Sequence, residues 1–146
     1  MLKKQTGFTL IELIVVIVIL GILAATALPK FMGIQGGARA ATIKGARGAV
    51  TSAMNIAYAT QQSQALLSNV SVTLDGVTIS MVNRYPTAAG ILVAAGLSTE
   101  YSASASGSVA TIQVTGATAP ATCQFTYTEA TGTAPPAVPE ATVTGC

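Results

Sequence analysis

Residues 8–28 (FTLIELIVVIVILGILAATAL) form a run of 21 residues with a single charge, Glu12, and none from Leu13 onward. A chain with such a run must bury it in lipid or against protein, because leaving it in water forfeits roughly 25 cal/mol for each Å² of apolar surface. As an α-helix it would be about 31 Å long, enough to cross the hydrocarbon core of a bilayer. The residues before it, MLKKQTG, hold Lys3 and Lys4. That basic flank favours a cytoplasmic N-terminus. Ala25-Thr26-Ala27 fits a small-x-small cleavage site. Hydropathy alone therefore allows two plain readings, a removed secretory signal or a simple anchor.

Glu12 serves neither. A carboxylate in an apolar helix costs on the order of several kcal/mol to desolvate unless it is protonated or paired. A cut after Gly7 would supply the partner. It would remove Lys3 and Lys4 and leave an α-amine on Phe8, four residues before Glu12. Amine and carboxylate could then pair within one chain, or between neighbouring helices offset by about one turn. Desolvation offsets much of the Coulomb attraction, so such a pair sets register more than it adds stability.

The string Gly7-Phe8-Thr9-Leu10-Ile11-Glu12, behind a basic leader and ahead of the apolar run, closely resembles the class III signal of type IV pilins. The resemblance implies that a prepilin peptidase cuts after Gly7 and N-methylates Phe8. It also implies that Glu12 neutralises the N-terminus of an adjacent subunit in a filament. The short leader is similar to that of the type IVa group. Gly21-Ile22-Leu23-Ala24-Ala25, Leu28-Pro29-Lys30-Phe31 and Tyr85-Pro86-Thr87-Ala88 resemble the mannose-sensitive haemagglutinin (MSHA) pilins.

Past Leu28 the helical signal weakens and then returns. Pro29 removes a hydrogen bond and favours a kink. Gly33, Gly36 and Gly37 each cost about 1 kcal/mol relative to Ala. An Ala-rich pattern resumes over residues 38–59, with Ile43, Val50, Met54 and Ala57 on one face. The expectation is one helix from Phe8 to Gln62, bent or broken near Pro29 and about 80 Å long if fully helical. Type IV pilins are similar, with the second half of the helix packed on a globular head. The expected organisation is a leader at 1–7, a transmembrane and filament-core helix at 8–28, its amphipathic continuation at 29–62, and a β-rich head at 63–146. The fold class is α+β.

Within the head, Val70, Val72 and Leu74, then Val77, Ile79 and Met81, alternate with polar residues around Asp75-Gly76, a two-residue hairpin turn. Asn83-Arg84-Tyr85-Pro86 reads as a turn. Thr87 can cap a short helix to Ala95, closed by Gly96. Residues 109–114 read as a strand, and the Ser/Ala/Gly run 102–108 as a loop. Cys123, Phe125 and Tyr127 alternate as in a half-buried strand. Residues 141–146 could pair back on it with Cys146 opposite Cys123. Two Cys outside the membrane permit a disulfide. It would close a loop of about 24 residues and stabilise the fold by roughly 3 kcal/mol. Buried free thiols or a redox site are the alternatives, the latter without a CxxC. Two Cys near the C-terminus also resemble pilins, in which the bridged segment faces outward.

Charge is scarce beyond the apolar run as well. Without residues 1–28, nine charges remain on 118 residues. That is still about 8%, against roughly 25% for an ordinary soluble domain. The run accounts for the mean hydropathy of +0.61 but not for this scarcity, which suits a subunit covered by copies of itself. The few charges segregate. Residues 8–62 carry Lys30, Arg39, Lys44 and Arg47 against Glu12; residues 63–146 carry Arg84 against Asp75, Glu100, Glu129 and Glu140. Basic stems meeting acidic heads of neighbours would set register in an assembly.

The chain has no His, which removes the commonest general base and metal ligand. Paired carboxylates and a phosphate loop are also missing from the sequence, so neither an enzyme nor a bound cofactor or metal is expected. An acidic head disfavours nucleic acid. A type II secretion pseudopilin and a minor or competence pilin share the N-terminal pattern and remain alternatives. The scattered head acids lack a DxD-like cluster for the calcium that the resemblance associates with the major pseudopilin. The resemblance implies an inner-membrane, single-pass precursor. The prepilin peptidase processes it, and assembly machinery with an ATPase lifts it into an extracellular homopolymer used for attachment and biofilm formation.

Overall fold

The computed structural model describes residues 7–146. Lys3 and Lys4 of the expected leader lie outside the described residues. The chain divides into two compact units, one ending at Gln35 and the other spanning Gly36–Cys146. One helix, α1 (Leu10–Ser63), contributes to both.

In the first unit α1 is apolar on every side. Its Leu, Ile and Val side chains from Leu10 to Leu23 are all exposed. This helix is long and apolar enough to cross a membrane. Pro29 lies inside it, and the helix runs on through that residue. Of the bend or break expected there, the break is absent. A proline removes one amide donor, and cooperative helix on both sides carries the backbone across the gap.

In the second unit α1 is amphipathic. Ile43, Ala46, Val50, Ala53 and Ala57 recur at spacings of three and four and are all buried. Ala46 and Ala53 complete the stripe, while Met54 packs at its edge. β1 (Val72–Leu74) and β2 (Val77–Ile79) form the expected hairpin, with Leu74 facing Val77. Asp75 and Gly76 stand at φ +48° and +81°, the left-handed pair that a type I′ turn requires. A second hairpin, β3 (Met81–Val82) and β4 (Tyr85–Pro86), turns at Asn83 and Arg84. The helix α2 (Ala88–Ala94) is capped by Thr87, whose Oγ1 accepts the Gly90 amide at 2.9 Å.

The main sheet is antiparallel, in the order β5 (Tyr101–Ser106), β6 (Val109–Val114), β7 (Gln124–Thr128). Ala110 pairs with Tyr127 and Ile112 with Phe125. These residues meet the α1 stripe and Ile91 of α2 in the core. Residues 102–106 are strand, not the expected loop. They pair with β6 along their whole length, yet every side chain after Tyr101 is exposed. The Ser and Ala residues of this edge strand have no apolar alternation; Tyr101 alone packs on the core, and the backbone ladder holds the rest.

Residues 141–146 form no strand. They touch β7 at one bridge, Gln124 opposite Thr142, a register that would put Val143 beside Cys123. Cys146 is therefore not the cross-strand neighbour of Cys123. A turn brings it back, with the Gly145 amide donating to the Thr122 carbonyl and the Gly145 carbonyl accepting the Ala119 amide, both at 3.0 Å. The disulfide joins Cys123 and Cys146 across a Cα separation of 4.8 Å.

Candidate functional site

The expected processing residues sit where the helix of the first unit begins. Residues 7–9 are non-helical and Leu10 opens α1. Phe8 is 88% exposed, so the Gly7–Phe8 bond precedes the helix in an accessible segment. Thr9 is the residue before the first helical position. Its amide and its hydroxyl both donate to Glu12 Oε2, at 2.9 and 2.7 Å, and its Oγ1 accepts the Glu12 amide at 3.3 Å. This is a capping box, which satisfies donors that a helix N-terminus otherwise leaves without partners. Its signature, Thr9-Leu10-Ile11-Glu12, is present in the sequence, and it gives the Glu12 carboxylate hydrogen-bond partners without any cleavage. Before any partner arrives, the carboxylate is already held by its own chain. Phe8, Ile11, Glu12, Val15 and Val16 line one open face there.

The cysteine pair belongs to the second unit. Cys123 is fully buried and Cys146 nearly so. The Cys146 backbone lies against α1, where a Cβ on Gly36 would sit 3.7 Å from its carbonyl carbon. Arg39 Nη1 donates to the Cys146 carbonyl oxygen at 3.1 Å. Arg47 forms an ion pair with Glu140 at 3.0 Å and donates to the Val138 and Pro139 carbonyls. Glu129 Oε1 accepts the Ala88 amide at 2.6 Å. Arg39, Arg47, Glu129 and Glu140 are thus engaged within their own chain, which narrows the set of stem bases and head acids that could meet neighbours as expected. Gly7, Phe8 and Glu12 gather at one helix end, whereas Pro29 lies further along α1 as part of the helix. Among the described residues, no three His, Cys, Asp or Glu side chains gather as a metal site would require.

Residues 2–28 match the family described as the prokaryotic N-terminal methylation motif. The chain is 44% identical over 54 residues to the type II secretion system core protein G of Pseudomonas aeruginosa, a match covering 37% of this chain and 38% of that protein. It is 48% identical over 54 residues to the major component of the type IV narrow pilus of Thermus thermophilus, covering 37% and 47%. A core protein G of Vibrio cholerae is 59% identical over 32 residues, 22% of each chain. The matches thus span less than half the length of these relatives. No solved structure matches the chain.

Proposed function

We propose that the chain, whose residues 2–28 match the prokaryotic N-terminal methylation motif, is a non-enzymatic structural subunit that polymerises into a type IV pilus. One observation carries the reading. An accessible Gly7–Phe8 bond precedes an apolar helix whose first turn holds Glu12. Cleavage there yields a Phe8 amine beside a carboxylate held by Thr9. In the precursor, residues 8–28 occupy the inner membrane. During assembly, lipid contacts are exchanged for helix–helix contacts in an extracellular homopolymer. Glu12 exchanges its Thr9 bonds for the Phe8 amine of a neighbour, which fixes the axial offset. Prepilin peptidase and a membrane assembly machinery with an ATPase are the partners this requires.

The finer proposal is a pilus of the mannose-sensitive haemagglutinin kind, used in attachment and biofilm formation. It rests on the likeness of Gly21-Ile22-Leu23-Ala24-Ala25, Leu28-Pro29-Lys30-Phe31 and Tyr85-Pro86-Thr87-Ala88. A pseudopilin is the second reading, favoured by relatives named for the type II secretion system. Deleting the gene separates the two: a pilus subunit takes surface filaments with it, whereas a pseudopilin takes export of secreted proteins.

The primary test is mass spectrometry of sheared filaments, which should begin at N-methyl-phenylalanine from Phe8. A mature chain beginning at Leu28 would overturn the reading. Glu12→Ala should insert normally but lower filament yield roughly tenfold or more.

A further inference from the structure

The acids of the second unit differ in what they do. Glu140 pairs with Arg47. Glu129 accepts the Ala88 amide. Asp75 takes the first position of the β1–β2 turn, where Asp is favoured for its backbone alone. Glu100, exposed just before β5, is engaged in none of these ways. Among the described residues its carboxylate has neither an ion pair nor a hydrogen bond.

On the basic side, Arg84 stands apart. It is the only base beyond residue 62. With Ser68, Asn83, Thr131 and Gly132 it lines a hollow of about 340 Å³. Three segments meet there: the connection from α1 to β1, the β3–β4 turn, and the loop after β7. Their backbones are tied together. The Arg84 amide donates to the Ser68 carbonyl at 2.7 Å. The Asn83 amide donates to Asn69 Oδ1, and Asn83 Nδ2 donates to the Ala130 carbonyl, both at 2.9 Å. Arg84 Nη1 donates to Gln62 Oε1 at 2.7 Å. That neutral partner aims the guanidinium, leaves its charge uncompensated and leaves its other N–H donors available. Arg84 also stands at φ +74°, in the second position of a tight turn where Gly would be unstrained. The turn thus keeps an arginine against the preference of its backbone, and retained strain of this kind points to a use for the side chain.

We propose that the hollow around Arg84 binds a carboxylate, and that this carboxylate is Glu100 of a second copy of the chain. The proposal rests on the subunit reading above and names the contact that sets register between heads. Donor and acceptor lie on different segments of one unit, so the contact can repeat head to tail from copy to copy, as the subunit reading requires. A heterologous contact propagates into a helical array unless its rotation closes a ring. A guanidinium–carboxylate pair with several donors fixes orientation as well as distance.

Filaments sheared from cells producing the full-length chain provide the test, with the thermal midpoint of the purified chain in detergent as the fold readout. Arg84→Glu and Glu100→Arg should each lower filament yield about tenfold, and the charge-swapped double variant should recover most of it. Arg84→Gly guards against misfolding. It relieves the turn, so the midpoint should hold or rise while filaments are lost. Single variants that assemble like the wild type, or a swap that recovers nothing, overturn the proposal. So does Arg84→Glu assembling normally while losing adhesion to a polyglutamate-coated surface, which would assign the hollow to an external anion. A wild-type chain that makes no filaments refutes the subunit reading itself, a failure visible before any variant is compared.

Discussion

Tyr127 is fully buried, and its hydroxyl donates to the Pro86 carbonyl at 2.6 Å. Burial above all, then the nearby Glu129 and Tyr85, pushes its phenol well above the ordinary value of 10. The unfolded chain begins to ionise this group near pH 10, whereas the folded chain does not. The contribution to stability is therefore full below pH 10 and is lost as pH rises beyond it. Tyr127→Phe should cost about 1 kcal/mol at pH 8 through the lost hydrogen bond. Denaturant midpoints should then fall less in the variant than in the wild type between about pH 8 and pH 11. Tyr101, raised by burial and by Glu100, leaves a residual slope. Gly90 makes a different point about what a sequence can say. By helix propensity, Gly90→Ala in α2 should stabilise by about 1 kcal/mol. Its Cβ would overlap the Ser80 carbonyl oxygen and approach Thr87 Oγ1 at 3.0 Å and the Ser80 nitrogen at 3.3 Å. Backbone atoms cannot swing aside, and overpacking of roughly 1–3 kcal/mol exceeds the propensity gain. A lower urea midpoint is the expected result, with a sign that nothing local to α2 reveals.

At the level of elements, what was legible is what neighbouring residues determine. The β1–β2 hairpin follows from Asp75-Gly76, and α2 follows from Thr87 and Gly96. The capping box at Thr9 and Glu12 was equally local. β5 was not legible, because Ser and Ala on an exposed edge give no period to detect. Nor was the path of residues 141–146, which depends on where Ala119 and Thr122 stand. The same distinction governs the disulfide. The alternation of Cys123, Phe125 and Tyr127 marked a buried strand, and the bridge exists although Cys146 arrives by a turn. Replacing both cysteines by Ser should cost roughly 3 kcal/mol on the loop-closure argument. The loosening should be uneven. Residues 129–146 reach β7 through two isolated bridges, while β6 is paired on both sides. Amide exchange in the double variant should therefore rise first over residues 129–146 and last in β6.

For the molecule as a whole, the question is which of its few charges face outward. The sequence separates basic stem from acidic head but cannot show which charges are already engaged. Arg39 bonds a residue 107 positions away, and Arg47 bonds residues 91 and 92 positions away. Folding alone brings such pairs together. The distinction changes what a charge reversal means. Arg39→Glu would set a carboxylate against the Cys146 carbonyl oxygen, acceptor against acceptor, and should destabilise the monomer by about 1–3 kcal/mol. A loss of filaments in that variant would report misfolding. Lys44 is exposed and, among the described residues, has no ion pair. Lys44→Glu should leave monomer stability within about 0.5 kcal/mol of the wild type. If basic stems face acidic heads of neighbouring copies, the same variant should assemble poorly at low salt. Wild-type filaments should then weaken as ionic strength rises from about 0.05 to 0.5 M, because exposed pairs are screened over that range. Electron microscopy of sheared filaments across the salt series, with the monomer midpoint measured alongside, checks both arms. Wild-type yield from Lys44→Glu at low salt would remove the stem charge from the interface and leave register to Glu12 and the head contacts.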